Sequence, residues 1–186
     1  AGRLSAAEDS PGIVAIAARP EADLSRALGG RVPLVIVGVD VQDPGNVGAI
    51  VRAAEAGGAT GAIFCGASAD PFGWKALRGS MGSALRLPIA RVALLDEAVA
   101  AARARGLLVV ATVARGGEPF HERDYTGPTA FLVGGEGPGL LADAVATGDA
   151  AVAIPMAPPV ESLNVAVAAA LLVYEARRQR APGRAR

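Results

Sequence analysis

The sequence is poor in the residues that form disulfides and metal sites. It contains one cysteine, Cys65, and one histidine, His121. A single cysteine excludes an internal disulfide, and the same scarcity argues against a zinc site, so we expect no metal. Cys65 ends an apolar run and is predicted to be a small buried side chain. His121 lies among charged residues, which favours a solvated loop over a general base.

Long apolar runs and net charge are also lacking. No run reaches membrane-spanning length and no signal peptide is visible, so we expect a cytoplasmic protein with no membrane partner. The net charge is zero, which gives no overall attraction to polyanions. Positive charge is local, because residues 71–95 contain four basic residues and no acid. The C-terminal arginines have two open interpretations, phosphate contact and simple solvation.

The composition favours one α/β domain. Aromatic residues make up only 4% of the 186 residues, whereas hydrophobic residues reach 52% and glycine occurs 24 times. This mixture fits many tight strand-to-helix turns better than a β-sandwich. We predict a linker with short elements at residues 1–30, the domain at 31–182 and a basic tail at 183–186.

The apolar pattern predicts alternating strands and helices. The run at 32–39 is typical of a central parallel strand that is buried on both faces. Asn46, Asp96 and Ser162 are predicted to cap helices. Further strands are expected at 13–17, 62–65, 89–93, 107–113, 130–133 and 150–154, and helices at 21–28, 46–57, 74–83, 96–105, 140–147 and 163–174.

Two charged residues keep alternative interpretations at this point. Arg52 lies off the apolar stripe of its helix, and its position alone favours a surface ion pair with Glu55. Glu136 lies in a glycine-rich loop at 134–139, between a strand and a helix. This is not a dinucleotide fingerprint, because the loop follows a late strand and its acid would repel a pyrophosphate. The loop suits a neutral or cationic ligand, or it is a plain turn with a solvated glutamate.

Residues 154–165 (IPMAPPVESLNV) predict a binding site. Three prolines forbid a regular element there and stiffen the loop. Ser162 and Asn164 then bring polar groups to the start of a helix. In open α/β sheets, ligands bind at such places beyond the carboxyl ends of strands.

Three segments in order resemble the SpoU/TrmH family of the SPOUT superfamily. They are residues 43–54 (DPGNVGAIVRAA), 132–140 (LVGGEGPGL) and 154–165, and residues 78–82 (RGSMG) resemble a fourth family segment. The likeness covers nearly all of residues 32–180. It implies an α/β fold with a mostly parallel sheet and a C-terminal trefoil knot. It also implies an S-adenosylmethionine-dependent RNA ribose 2′-O-methyltransferase.

The resemblance also implies roles for individual residues. The catalytic group would be Asn46, Arg52, Glu136, Ser162 and Asn164. RNA contacts would come from Arg52, Arg78 and Ser80. The cofactor would be held by Val133, Gly134, Gly135, Gly137, Ile154, Met156 and Leu163. The sequence departs from the family pattern in two places. Ala157-Pro158-Pro159 replaces a segment that often contains glycine in the family, and an upstream RNA-binding domain is expected to be absent.

A homodimer and an rRNA substrate complete the expectations. The helix at 163–174 is apolar nearly all round, so one face is expected to meet a second subunit, the alternative being burial within the monomer. Arginine almost replaces lysine, which indicates a GC-rich bacterial genome. In such organisms the family includes antibiotic-resistance enzymes, which favours rRNA over tRNA. The main alternative is a non-catalytic RNA-binding or ribosome-assembly module, and a nucleotide-dependent oxidoreductase is a distant third.

Overall fold

Seven strands form one sheet in the computed structural model, which describes residues 16–137 and 139–181. The strand order is β3-β2-β1-β6-β4-β7-β5, and every pairing is parallel. The predicted α/β class with a mostly parallel sheet is confirmed, whereas the knot stays a prediction. The strands are β1 (Leu34–Val39), β2 (Gly61–Cys65), β3 (Ile89–Arg91), β4 (Leu108–Val113), β5 (Glu118–Pro119), β6 (Thr129–Gly134) and β7 (Ala150–Ala153).

Helices cover both faces of the sheet and give it two apolar clusters. In β1, Leu34 and Ile36 belong to one cluster and Val35 and Val37 to the other, so this strand is buried on both faces, as predicted. A 3-10 turn occupies Ser83–Leu85. The α-helices are α1 (Leu24–Ala27), α2 (Pro44–Gly57), α3 (Trp74–Ser80), α4 (Leu95–Ala104), α5 (Ala142–Ala146) and α6 (Val165–Arg180).

The three predicted helix caps are wrong. Asp43, not Asn46, caps α2, because its carboxylate accepts a hydrogen bond from the Gly45 N–H at 2.8 Å. Asn164, not Ser162, caps α6 through the N–H groups of residues 166 and 167. Asp96 lies inside the first turn of α4, where its negative charge interacts favourably with the positive end of the helix dipole. Each helix therefore begins within three residues of its predicted cap.

The ends of the chain differ most from the predictions. Residues 13–15 of the expected first strand lie outside the described residues, and residues 16–17 are not in a strand. Residues 182–186 also lie outside them, so the predicted tail at 183–186 stays a prediction, as do the domain limits. One interpretation of the C-terminal arginines was simple solvation, and Arg180 contradicts it. Its guanidinium donates to the carbonyls of Tyr125 at 2.8 Å and Val32 at 3.1 Å, which ties α6 to the sheet.

The two scarce residues behave as predicted. Cys65 is buried, and burial raises the pKa of its thiol to about 12, so it is unreactive. His121 is exposed. Among the helices described, none combines the length and the apolar character needed to cross a bilayer.

Candidate active site

A cleft of about 300 Å³ opens at the carboxyl ends of β4, β6 and β7. Its lining combines apolar side chains with residues 134–137 and 139, which we call the glycine loop, and with the start of α6. The cleft therefore lies where parallel sheets bind ligands. The structure brings together in this lining all the residues predicted to bind a cofactor, which are Val133, Gly134, Gly135, Gly137, Ile154, Met156 and Leu163.

Close backbone contacts explain two glycines of this loop. A Cβ atom on Gly134 would lie 2.2 Å from the carbonyl carbon of Gly139, because the loop folds back on itself. A Cβ atom on Gly135 would lie 1.9 Å from the carbonyl oxygen of Asp40, at the end of β1. Both distances are impossible for real atoms, so these positions require glycine for the shape of the loop.

Three predicted catalytic residues form a continuous chain of hydrogen bonds, which we call the amide chain. Asn164 Nδ2 donates to Asn46 Oδ1 at 2.9 Å, and Asn46 Nδ2 donates to Glu136 Oε1 at 2.5 Å. The other carboxylate oxygen, Oε2, accepts from the Gln42 N–H at 3.1 Å. The amide chain thus joins the start of α6, the first turn of α2 and the glycine loop.

The start of α6 fixes the direction of the amide chain. Asn164 Oδ1 must accept, because it faces the backbone N–H groups of Ala166 and Val167 at 2.9 and 3.3 Å. Its Nδ2 must then donate to Asn46, whose own Nδ2 is left to donate to Glu136. The chain therefore ends on an acceptor, and an ionised carboxylate fills that role best.

The pKa of Glu136 agrees with this assignment. Partial burial by itself raises the pKa, but hydrogen bonds from Asn46 and from backbone N–H groups outweigh it and hold the pKa below its usual value. Both carboxylate oxygens are occupied, so Glu136 is suited to holding loops together and to presenting a negative charge at the cleft. Glu136 is exposed, so the glutamate is solvated, but its hydrogen bonds with Asn46 and the Gln42 N–H make the loop more than a plain turn.

Ser162 and Arg52 are not part of the amide chain. Ser162 is exposed and lines the cleft. Arg52 lies six residues after Asn46 on α2, which places it about 9 Å further along the helix axis. It is exposed and forms no ion pair within the described part of the chain. The surface pair with Glu55 is wrong, because Glu55 accepts two hydrogen bonds from Arg86 at 2.6 and 2.7 Å.

The two other predicted RNA contacts differ from each other. Arg78 is exposed on α3, with its guanidinium 5.9 Å from the centre of the Trp74 ring. Ser80 is fully buried, and its hydroxyl donates to the carbonyl of Leu77 at 2.9 Å. An RNA contact by Ser80 is therefore wrong, because the hydroxyl serves the C-terminal turn of α3 instead.

The third wall of the cleft was not predicted from the sequence, and it is formed by Thr112, Val113 and Ala114 at the end of β4. The hydroxyl oxygen of Thr112 is shielded from solvent and has no hydrogen-bond partner among the described residues. A buried polar atom without a partner is costly, so this hydroxyl lowers the stability of the ligand-free protein. A polar residue at the carboxyl end of a predicted strand was the available signal.

Comparisons with known proteins converge on one family. The model of the family described as "SpoU rRNA Methylase family" matches residues 33–174. A 23S rRNA (uridine(2479)-2′-O)-methyltransferase of Streptomyces viridochromogenes is 39% identical over 182 residues, which are 95% of this chain and 63% of that protein. A 23S rRNA (guanosine(2553)-2′-O)-methyltransferase of Bacillus subtilis is 38% identical over 165 residues, 89% of this chain and 64% of that protein.

A solved structure agrees with this result. The SpoU methyltransferase AviRb from Streptomyces viridochromogenes, in complex with the cofactor AdoMet, has a TM-score of 0.83 and 38% identity. The likeness covers 89% of this chain and 64% of that one. This chain spans about half the length of several curated relatives that it matches.

Proposed function

The chain belongs to the SpoU rRNA methylase family, and on that premise we propose that it transfers a methyl group from S-adenosylmethionine to a ribose 2′-hydroxyl of ribosomal RNA. The two relatives named above act on a uridine and on a guanosine. What their names share is the ribose 2′-oxygen and not the base. Both relatives come from bacteria, and in a bacterial cell such an enzyme would act in the cytoplasm.

The cleft beside the amide chain carries this proposal. Apolar side chains of Val133, Ile154, Met156 and Leu163 suit the flat faces of an adenine, and the glycine loop adds backbone groups at close range. Thr112 adds a hydroxyl that lacks a partner in the described residues. Shape and polarity therefore fit S-adenosylmethionine.

Charge fits the same ligand. When bound, S-adenosylmethionine supplies an electrophilic methyl group on a positively charged sulfur. Glu136 lines the cleft as a carboxylate, so its field favours a cation there and disfavours a phosphate. This is the property that also argues against a nucleotide-dependent oxidoreductase.

The amide chain would position the reacting groups. It couples the glycine loop, which bounds the cleft, to the first turn of α2 and to the start of α6. Most of the rate of a methyl transfer can come from holding the ribose oxygen in line with the methyl carbon. Asn46, Glu136 and Asn164 would supply this rigidity, and exposed Ser162 would face the substrate at the mouth of the cleft.

Arg52 would serve the RNA side of the reaction. Its guanidinium stays protonated at working pH, so it is a poor base. We propose that it stabilises negative charge developing on the ribose oxygen or clamps the adjacent phosphate. The pairing of Glu55 with Arg86 supports this proposal, because it leaves Arg52 available.

Two substitutions at Arg52 separate these roles. Arg52→Lys should lose most turnover, because an ammonium cannot form the bidentate contact of a guanidinium. Retained turnover would refute the bidentate contact. Arg52→Ala should lower the chemical rate at saturating RNA. If Arg52→Ala loses RNA binding but keeps the chemical rate, the charge-stabilisation role is refuted and only the phosphate-clamp role remains. Arg105→Lys, at an exposed arginine after α4, is the matched control and should behave as wild type.

We further propose that the protein is a homodimer that uses the open face of α6. Val167, Leu171 and Tyr174 are 47%, 39% and 50% exposed in a single chain, so burial of this helix within the monomer is wrong. Leu163, just before α6, is also exposed and lines the cleft, so a second subunit on this face would cover the cleft's rim. Sedimentation at micromolar concentration should give a dimer, and a monomer would refute the proposal.

Calorimetry with S-adenosylmethionine is the direct test of the proposed function. We expect binding by the wild-type chain and strongly reduced binding by Gly134→Val, whose side chain would collide with the loop. A well-folded wild-type chain without any binding would favour the non-catalytic RNA-binding module instead.

A further inference from the structure

Exposed apolar side chains occur on α3 and in the segment that follows it. Trp74, in the first turn of α3, is 47% exposed, and Met81 and Leu85, which follow the helix in the chain, are 68% and 61% exposed. The inner side of the helix is fully buried through Ala76 and Ser80. Large apolar groups that stay in water beside a packed helix indicate a binding surface.

Positive charge accompanies these apolar groups. Arg78 lies one helical turn after Trp74, and its guanidinium is 5.9 Å from the centre of the Trp74 ring. Lys75 is exposed beside it. Neither cation forms an ion pair with any residue that the structure describes. By contrast, Arg86 and Arg91 of the same basic segment are engaged by Glu55 and by the carbonyl of Ser68.

The helix that carries these side chains packs against the helix that carries Asn46. The buried side of α3 contacts the first turns of α2, where a Cβ atom on Gly48 would lie 2.4 Å from the carbonyl oxygen of Ala76. A Cβ atom on Gly79 would lie 3.4 Å from the carbonyl oxygen of Gly45. Asn46 belongs to the same turn of α2. The exposed side of α3 therefore belongs to the helix next to the one that contributes Asn46 to the amide chain.

We propose that the α3 face, defined as Trp74, Lys75, Arg78, Met81 and Leu85, binds an unpaired segment of the RNA substrate. One base stacks on the open face of the Trp74 ring, and Lys75 and Arg78 contact the phosphates on either side. An exposed aromatic ring flanked by unpaired cations is the chemistry that recognises single-stranded nucleic acid. The inference rests on the proposed function, which it deepens by naming the form of RNA that is bound.

Charge also favours RNA over a second copy of the chain. A symmetric contact would bring Lys75 and Arg78 of one copy close to the same two cations of the other, and residues 71–95 contain no acid to offset them. RNA supplies both a ring to stack and phosphates to neutralise. The α3 face is thus distinct in character from the uncharged apolar face of α6.

The single tryptophan makes the proposal directly measurable. A labelled RNA hairpin with an unpaired loop should quench the emission of Trp74 in a saturable way, and a fully paired duplex should quench it much less. In anisotropy titrations, Trp74→Leu should weaken hairpin binding by about 5- to 150-fold, whereas Trp74→Phe keeps a ring and should recover most of the affinity. Arg78→Gln should reduce the salt slope of binding by about 0.7, and Arg105→Gln should leave it unchanged.

Three results would overturn the proposal. The first is equal hairpin affinity for Trp74→Leu and wild type, and the second is the absence of quenching by the hairpin. The third is a change in Trp74 emission that depends on protein concentration alone, which would make the α3 face a contact between copies of the chain. Calorimetry with S-adenosylmethionine on the same variants keeps the two hypotheses apart. Trp74→Leu should bind the cofactor as wild type does. A wild-type chain that does not bind the cofactor would refute the proposed function, whatever Trp74 does.

Discussion

Replacing Thr112 by valine should stabilise the protein and weaken cofactor binding at once. Valine has nearly the shape of threonine but no hydroxyl. The Thr112 hydroxyl is shielded from water and has no partner among the described residues, so the cofactor-free protein bears its desolvation cost. Thr112 lines the cleft, and we propose that S-adenosylmethionine, on entering, uncovers this hydroxyl and gives it a hydrogen bond. The two effects therefore have opposite signs.

The magnitudes follow from the cost of an unsatisfied polar group. Burying a hydroxyl without a partner costs about 1–3 kcal/mol, so Thr112→Val should raise the free energy of unfolding by roughly 1 kcal/mol. In a domain of this size that corresponds to a Tm about 2–4 °C higher. A hydrogen bond contributes about 0.5–1.5 kcal/mol, so the Kd for S-adenosylmethionine should rise by about 2- to 12-fold.

Thermal unfolding without cofactor and calorimetry with it measure the two effects. Thr129→Val is the matched control, because that buried hydroxyl donates to the carbonyl of Gly127 at 2.9 Å and lies at the opposite end of β6. The control should lose about 1 kcal/mol of stability and keep its affinity. A Thr112→Val protein that is less stable than wild type, or that binds the cofactor equally well, would refute the reasoning.

Three further predictions concern the amide chain and the α6 face. Asn164→Ala should lower the free energy of unfolding by about 1 kcal/mol, because the helix cap is lost. Asn164→Asp should keep the cap and the stability but lose turnover, because a carboxylate cannot donate to Asn46. Equal turnover for Asn164→Asp and wild type would count against the amide chain. Since hydrogen bonds hold the pKa of Glu136 below its ordinary value, its carboxylate adds stability above that ordinary value, and this stability is lost as the pH falls through the lower, folded-state pKa. Glu136→Gln should therefore lose less stability than wild type as the pH is lowered from neutral into the acid range in denaturant titrations, and parallel curves would contradict this. Val167→Glu should convert the dimer to a monomer in sedimentation, and an unchanged dimer would place the subunit contact elsewhere.

The periodic parts of the fold were predictable because burial decides them. The apolar run at 32–39 has no polar interruption, and β1 is accordingly buried on both faces. Helix starts were harder, since residues 43 and 46, like residues 162 and 164, are all good capping types. Which of them caps depends on tertiary partners. Asn46 is taken by Glu136 and Asn164, which lie 90 and 118 residues away.

The site shows the same division. Motifs that each lie in one loop predicted the two walls of the cleft formed by the glycine loop and by the segment from Ile154 to Asn164, because neighbours in sequence there are also neighbours in space. Thr112 offered one sequence signal, a polar residue at the end of a strand, but its lack of a hydrogen-bond partner depends on the tertiary structure. Ser80 was misassigned because the family resemblance of residues 78–82 implied a contact with RNA, while packing against α2 buries its side chain.

Methyl transfer to the ribose oxygen is the central claim, and the position of the transferred label tests it most directly. The chain is incubated with rRNA and S-adenosylmethionine carrying a radioactive methyl group, and the RNA is then hydrolysed in alkali. A 2′-O-methyl group blocks cleavage of the adjacent phosphodiester, so we predict label in alkali-resistant dinucleotides, and much less of it for Arg52→Ala. Label recovered in mononucleotides, which would indicate base methylation, or no incorporation by a chain that binds the cofactor, would contradict the account.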